Sequence, residues 1–108
     1  MNHRHWKTLQ ERELAQGYSE PTHIAEVRRE IRLSMALAEA IYERRTELGM
    51  THQTLAERAG LEQTGISRIE GSDIVPSLLL LADLANALDA TASITLDTDN
   101  IRVVFVGH

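Results

Sequence analysis

Apolar positions along the chain change their spacing twice, and each change marks a new kind of element. Residues 1–16 carry Trp6, Leu9 and Leu14 at loose helical spacing, which predicts a weakly amphipathic helix. GYSEP, Gly17 to Pro21, breaks it. Ser19 or Glu20 can cap the next helix, and Pro21 suits its first turn. Ile24, Val27 and Ile31 then recur at +3 and +7 as one stripe, which runs on through Met35, Leu37, Ala38, Ile41 and Leu48. No strong breaker precedes Gly49. One long helix fits this pattern, and so do two abutting helices with Ser34 as the joint.

Two short helices follow. Gly49 suits a C-terminal cap, because glycine tolerates the left-handed conformation there. Thr51 is a good N-cap for a helix from His52 to Ala59. Gly60 ends that helix, and Leu61 is expected to tuck into the core. The next helix runs from Gln63 to Glu70. Gly71 to Ser77 is a loop, and Ser77 opens SLLLLADLANAL, whose leucines Leu78 to Leu81 are expected to be core. A helix this short is marginal alone in water. Two in succession make sense when each packs on its neighbours and one has an outer face to present.

Beyond Asp89 and Ala90 the period becomes two. Ser93 to Asp97 alternates polar and apolar, as a half-buried strand does. Thr98 to Asn100 is turn chemistry. Ile101 to Val106 is apolar on both faces apart from Arg102. A two-stranded hairpin is marginal alone, and a strand apolar on both faces needs more cover than one small helical domain offers. Strand pairing between two copies is therefore expected, with Ile94, Leu96, Val103, Val104 and Phe105 as dimerisation residues. The fold class is mainly α: a five-helix-like repressor domain over 34–90, an N-terminal helical extension over 1–33, and a β segment for dimerisation over 91–108.

Composition narrows the chemistry. With 108 residues, 43% hydrophobic but only 4% aromatic, the core must be aliphatic and modest. A core of that size often relies on a partner or a second copy. No cysteine is present, so disulfides and thiolate chemistry are excluded and a cytoplasmic setting fits. The longest apolar run, Leu78 to Ala82, is too short to span a bilayer, and no secretory signal stands at the N-terminus. Net charge is -5: residues 1–33 carry +1, residues 34–70 carry -2 and residues 71–108 carry -4. An acidic tail favours a basic protein partner over long-range attraction to DNA. No catalytic arrangement emerges, and neither a cofactor nor an enzyme is expected. His3, His5 and His23 match no ordinary zinc spacing and read as solvated, so no metal is expected.

The helix Gln63 to Glu70 is the informative one. At about 100° per residue, Gln63, Ser67, Thr64 and Arg68 fall within about 140° of each other. Ile66 and Ile69 fall on the other side with Gly65. Glutamine can contact adenine with two hydrogen bonds and arginine guanine, while hydroxyls serve bases or phosphates. A B-form major groove accepts one helix. Arg44, Arg45 and Arg58 are further candidates for phosphates, although Arg45 could instead pair with Glu70, whose position beside Ile66 and Ile69 suits a structural carboxylate.

THQTLAERAGLEQTGISRIE, preceded by ERRTELGM, resembles the helix-turn-helix of the lambda repressor/Cro superfamily, also called the xenobiotic response element family. Thr51, Leu55-Ala56, Gly60, Ile66-Ser67 and Glu70 stand at the family's spacing. Arg45 and Pro76-Ser77 also match, over roughly residues 35 to 89. The family's usual glutamine falls at His52, with Gln53 one residue later, so Thr51, His52 and Gln53 join the DNA-binding candidates. Where the family's loop carries basic residues, this chain has Gly71-Ser72-Asp73. An N-terminal extension with Trp6, a tyrosine before the main helix and a short β tail make the whole similar to HigA-type antitoxins. That resemblance implies repression of the chain's own promoter as a homodimer on double-stranded DNA, and neutralisation of a small basic ribonuclease toxin; Trp6, Leu9 and Tyr18 either grip that toxin or fold back on the domain's own helices. Two alternatives stand beside it: a stand-alone regulator of the same fold, and a protein-interaction module that has lost DNA binding. No membrane partner is expected.

Overall fold

In the computed structural model, residues 21–97 and 100–108 are described. Four helices and a two-stranded antiparallel sheet follow in order: α1 (Thr22–Glu47), α2 (His52–Ala59), α3 (Gln63–Glu70), α4 (Leu78–Ala87), β1 (Ala90–Leu96) and β2 (Ile101–Gly107). The chain divides into two compact units between Ile31 and Arg32, inside α1. Of the first, the described part is Pro21 and the opening of α1, where the Pro21 carbonyl accepts the Ala25 N–H at 3.0 Å. The second unit holds the short helices and the sheet. The expected helix over residues 1–16, with His3, His5, Trp6 and Leu9, lies outside the described residues, as does Tyr18.

Ile41, Leu55, Ile66, Ile69, Leu84 and Leu88 form the fully buried centre of the second unit. They come from all four helices and the residue after α4, so no helix is stable without the others. Burial of each such side chain contributes about 1.5–3 kcal/mol. Leu61 packs against this cluster, as the sequence suggested. α1 is unbroken through Ser34. That residue is buried and donates its hydroxyl to the Ser72 carbonyl at 2.9 Å, so it ties the helix to the loop after α3 and makes no joint. Val27, Ile31 and Met35 of the expected stripe are exposed.

The four leucines opening α4 do not all enter the core. Ser77 caps the helix by accepting the Leu80 N–H at 3.1 Å. From there Leu81, Leu84, Ala85 and Leu88 follow the inward face, while Leu78 and Leu79 are 79% and 82% exposed. Consecutive helical residues point in directions about 100° apart, so four in a row cannot share one buried face.

β1 and β2 pair within the chain, Leu96 opposite Ile101 and Ala90 opposite Gly107. Ile94, Val103 and Phe105 are half-buried on the inner face, and Phe105 packs against the core. Leu96 and Val104 are exposed.

Arg44 closes the far end of the sheet. Its Nε donates to the Leu88 carbonyl at 3.0 Å and its Nη2 to the Asp89 carbonyl at 3.1 Å. Nη1 reaches Glu47 at 3.2 Å. Arg44 is buried in this role, so the expectation that it meets phosphate fails: its donors are aimed inward at the end of α4. Gly107 belongs to the same arrangement, since a Cβ there would stand 2.8 Å from Arg44 Nη2. Arg44→Met is expected to lower the unfolding free energy by about 1–3 kcal/mol, by orphaning buried carbonyls. Gly107→Ala moves the guanidinium and lowers it by less; urea titration of both variants checks the order.

Candidate nucleic-acid interface

α2 and α3 are set by their ends. Thr51 Oγ1 accepts the Thr54 N–H at 3.0 Å and starts α2. Gly60 stands at φ 72°, a left-handed conformation that other residues adopt only with strain. The Leu61 N–H then bonds back to the Ala56 carbonyl at 2.8 Å. That reversal turns the chain so that α3 begins across α2. Glu62 occupies the N-cap of α3 without a side-chain capping bond.

On α3, Ile66 and Ile69 are fully buried, and Gln63, Thr64, Ser67 and Arg68 are exposed. The side chains of Gln63, Thr64 and Arg68 meet no hydrogen-bond or ion partner among the described residues. The split read from the sequence is the split observed. Gly65 is half-buried, and a Cβ there would touch nothing within 4 Å.

Beneath that face runs a polar chain that joins three helices. Arg45 of α1 donates Nε to Glu70 Oε2 at 2.7 Å and Nη2 to Glu70 Oε1 at 3.0 Å. Its Nη1 donates to the Met50 carbonyl at 2.7 Å, and its guanidinium lies 5.4 Å from the Tyr42 ring centroid. The two side chains are 11% and 7% exposed. Hydrogen bonding to the Glu70 carboxylate raises the Arg45 pKa further above its ordinary value, outweighing the opposing effect of burial. Of the two roles open to Arg45, the structure gives it the pair with Glu70.

The chain continues from Glu70 Oε1 to His52 Nε2 at 3.2 Å, and from His52 Nδ1 to Ser67 Oγ at 3.2 Å. In a neutral imidazole one nitrogen donates and the other accepts. With His52 neutral and Glu70 as a carboxylate, Nε2 donates to Glu70, Nδ1 accepts, and the Ser67 hydroxyl donates to it. His52 thus has both ring nitrogens engaged inside the protein, and Thr51 has its hydroxyl in the cap. Gln53 is exposed, with its amide 3.3 Å from Glu57 one turn on. Arg58 is exposed. The His52–Ser67 link carries no local signal: the two residues lie 15 apart, and only the packing of α2 on α3 brings them together.

The comparisons with known proteins agree with this geometry. Residues 41–93 match the helix-turn-helix family model. Among solved structures, the restriction-modification controller protein C.AhdI from Aeromonas hydrophila is similar at 30% identity and a TM-score of 0.51, over 52% of this chain and 85% of that one. The chain belongs to the helix-turn-helix family, of the lambda repressor/Cro type. A point mutant of a second controller protein, C.Esp1396I, is similar at 29% identity and a TM-score of 0.53, over 55% of this chain and 77% of that one. No curated protein matches. The helix-turn-helix domain is a DNA-binding domain of the regulator type, with α2 and α3 as the two helices of the motif.

Two outcomes follow for α3. Glu70→Gln leaves the Arg45 charge buried without its counter-ion and is expected to cost about 3 kcal/mol, read by urea unfolding. Gly65→Ala adds a better helix former into open space and is expected to stabilise by about 0.5–1 kcal/mol. Its effect on DNA affinity, measured beside its stability, reports how closely a DNA strand approaches the α3 backbone.

Proposed function

We propose that this protein is a sequence-specific DNA-binding transcription regulator acting by equilibrium binding, with no chemical step. One observation carries the reading: an exposed polar face led by an Arg68 that has no partner among the described residues, on a helix anchored from behind by two buried isoleucines. Such a face is chemically suited to base edges, through Arg68 to guanine and Gln63 to adenine. Thr64 and Ser67 add hydroxyls. Of the candidates at the start of α2, Gln53 has the exposure a phosphate contact needs, whereas His52 holds Ser67 in place. The similarity to controller proteins of restriction-modification systems supports a regulatory role.

The charge balance argues for binding as a homodimer. The unit from Arg32 onward is acidic, and few cations flank α3, so one domain on one half-site has little electrostatic affinity. Two recognition helices in successive major grooves of a pseudo-palindromic operator supply the remainder.

A HigA-type antitoxin role is the finer reading. It adds repression of the chain's own promoter and neutralisation of a small basic ribonuclease toxin. The net charge of -5 supports it, as does the resemblance of the N-terminal segment with Trp6, Leu9 and Tyr18. Co-purification of a basic protein encoded next door separates it from a stand-alone regulator, which would bind the operator alone.

The test is a fluorescence-anisotropy titration of the promoter fragment at several salt concentrations. Arg68→Ala is expected to weaken binding by about 10–100-fold, the equivalent of about 1–3 kcal/mol for one lost bidentate base contact, with thermal stability unchanged. Equal affinity of parent and variant, with no salt dependence in either, would instead mark a protein-interaction module.

A further inference from the structure

The sheet has an edge that nothing in the described chain covers. In an antiparallel pair, opposite residues alternate between exchanging both backbone hydrogen bonds and exchanging neither. Asp97 and Asn100 exchange theirs at 2.8 and 3.4 Å, and at the other end the His108 N–H reaches the Asp89 carbonyl at 3.1 Å. With the observed register, this phase makes Arg102, Val104 and Val106 the β2 residues that bond to β1. Ile101, Val103 and Phe105 therefore direct their N–H and C=O groups away from β1. Those groups have no partner among the described residues.

The edge opens onto a groove. Its volume is about 310 Å³, between Ala36, Glu39, Ala40 and Glu43 of α1 and residues 100–104 of the hairpin. A smaller space of about 110 Å³ continues beside Phe105 and Glu47. The two alanines keep the helix wall low. Of the two strands, α4 packs against β1, which leaves β2 as the strand with an approachable side.

We propose that β2 of a second copy occupies this groove, pairing antiparallel with β2 about a two-fold axis at Val103. The inference rests on the homodimer proposed above and gives that dimer its surface. Three outward-facing residues spaced two apart are symmetric about the middle one. Val103 then faces Val103 of the other copy, and Ile101 of each copy faces Phe105 of the other. Every outward group of the three residues is met in both copies, and the interface closes on itself. The inner-face side chains of the incoming strand, half-buried in a lone chain, meet Ala36 and Ala40. Charge agrees: Arg102, the one Lys or Arg among residues 71–108, lines the groove beside Glu39 and Glu43, so a second copy brings an arginine to an acidic wall.

The test uses the full chain. Val103→Pro removes an N–H that points outward, so the β1–β2 ladder keeps its bonds; proline is tolerated on such an edge. Sedimentation velocity is expected to show a dimer for the parent and a monomer for the variant, with equal helical circular dichroism. The monomeric variant still binds DNA with salt dependence, only more weakly. Loss of salt-dependent binding in the dimeric parent would count against the DNA reading instead. Hydrogen exchange on the parent needs no variant: the amides of Ile101, Val103 and Phe105 should be protected like those of Arg102, Val104 and Val106, and lose that protection on dilution. The proposal is overturned by a parent that stays monomeric at every concentration, or by a dimer whose outward amides exchange freely. It is equally overturned if Leu79→Arg breaks the dimer while Val103→Pro leaves it intact, or if only a basic partner protein protects the edge.

Discussion

Arg45 and Glu70 make the contact that positions everything else in the DNA-binding unit. Glu70 is the last residue of α3, where a carboxylate faces the negative end of the helix dipole and needs a cation to be tolerated. Arg45 supplies it with a two-bond fork, a geometry that fixes orientation as well as distance. The same guanidinium holds the Met50 carbonyl at the entry to α2, and the same carboxylate holds His52, the first residue of α2. One ion pair thus sets the mutual placement of α1, α2 and α3. A buried pair gains little net stability over apolar packing. Its value here is in the angle at which an eight-residue recognition helix is held.

That inward satisfaction is what leaves the outer face of α3 with chemistry to offer. The isoleucines are consumed by the core and the carboxylate by Arg45, so Arg68, Gln63 and Thr64 remain without partners among the described residues. The surroundings do not help them by charge. Glu62 precedes the helix, Asp73 follows it, and the chain as a whole is acidic. Long-range steering toward DNA is therefore weak, and a binding reading must rest on short-range contacts and on two copies acting together.

How much of this was legible in the sequence depended on how local its cause was. Caps at Thr51, Gly60 and Ser77 are single-residue effects, and each was readable. The split between the isoleucines and the polar quartet follows from helical spacing alone, so it was readable too. The leucine run at Leu78 misled, because composition counts apolar residues without asking which way each one points. The role of Arg44 is set by carbonyls 44 and 45 residues away, and no spacing rule carries such partners, whereas the pair of Arg45 with Glu70 was one of the two roles the sequence left open for it. The hairpin could be placed, but the phase of its hydrogen bonds, which decides the face each strand edge presents, needs coordinates.

The His52–Ser67 link has a consequence for recognition that the residue types alone would hide. A serine hydroxyl can ordinarily donate or accept. With His52 in its neutral Nε2–H form, that proton is directed to His52 Nδ1, which leaves the outward side of the Ser67 oxygen as an acceptor. If α3 enters the major groove as proposed, Ser67 would favour the amino groups of adenine or cytosine over carbonyl oxygens or phosphates. Arg68 is a donor only, Gln63 carries both functions, and Thr64 keeps a free rotor. The face therefore presents an ordered set of donors and acceptors, and the order at Ser67 is imposed by α2 rather than by α3 itself. Losing His52 would leave Ser67 exposed and polar but would free its proton. Specificity would change while the recognition helix stayed intact, which is a different failure from the loss of Glu70, where the helix itself loses its hold.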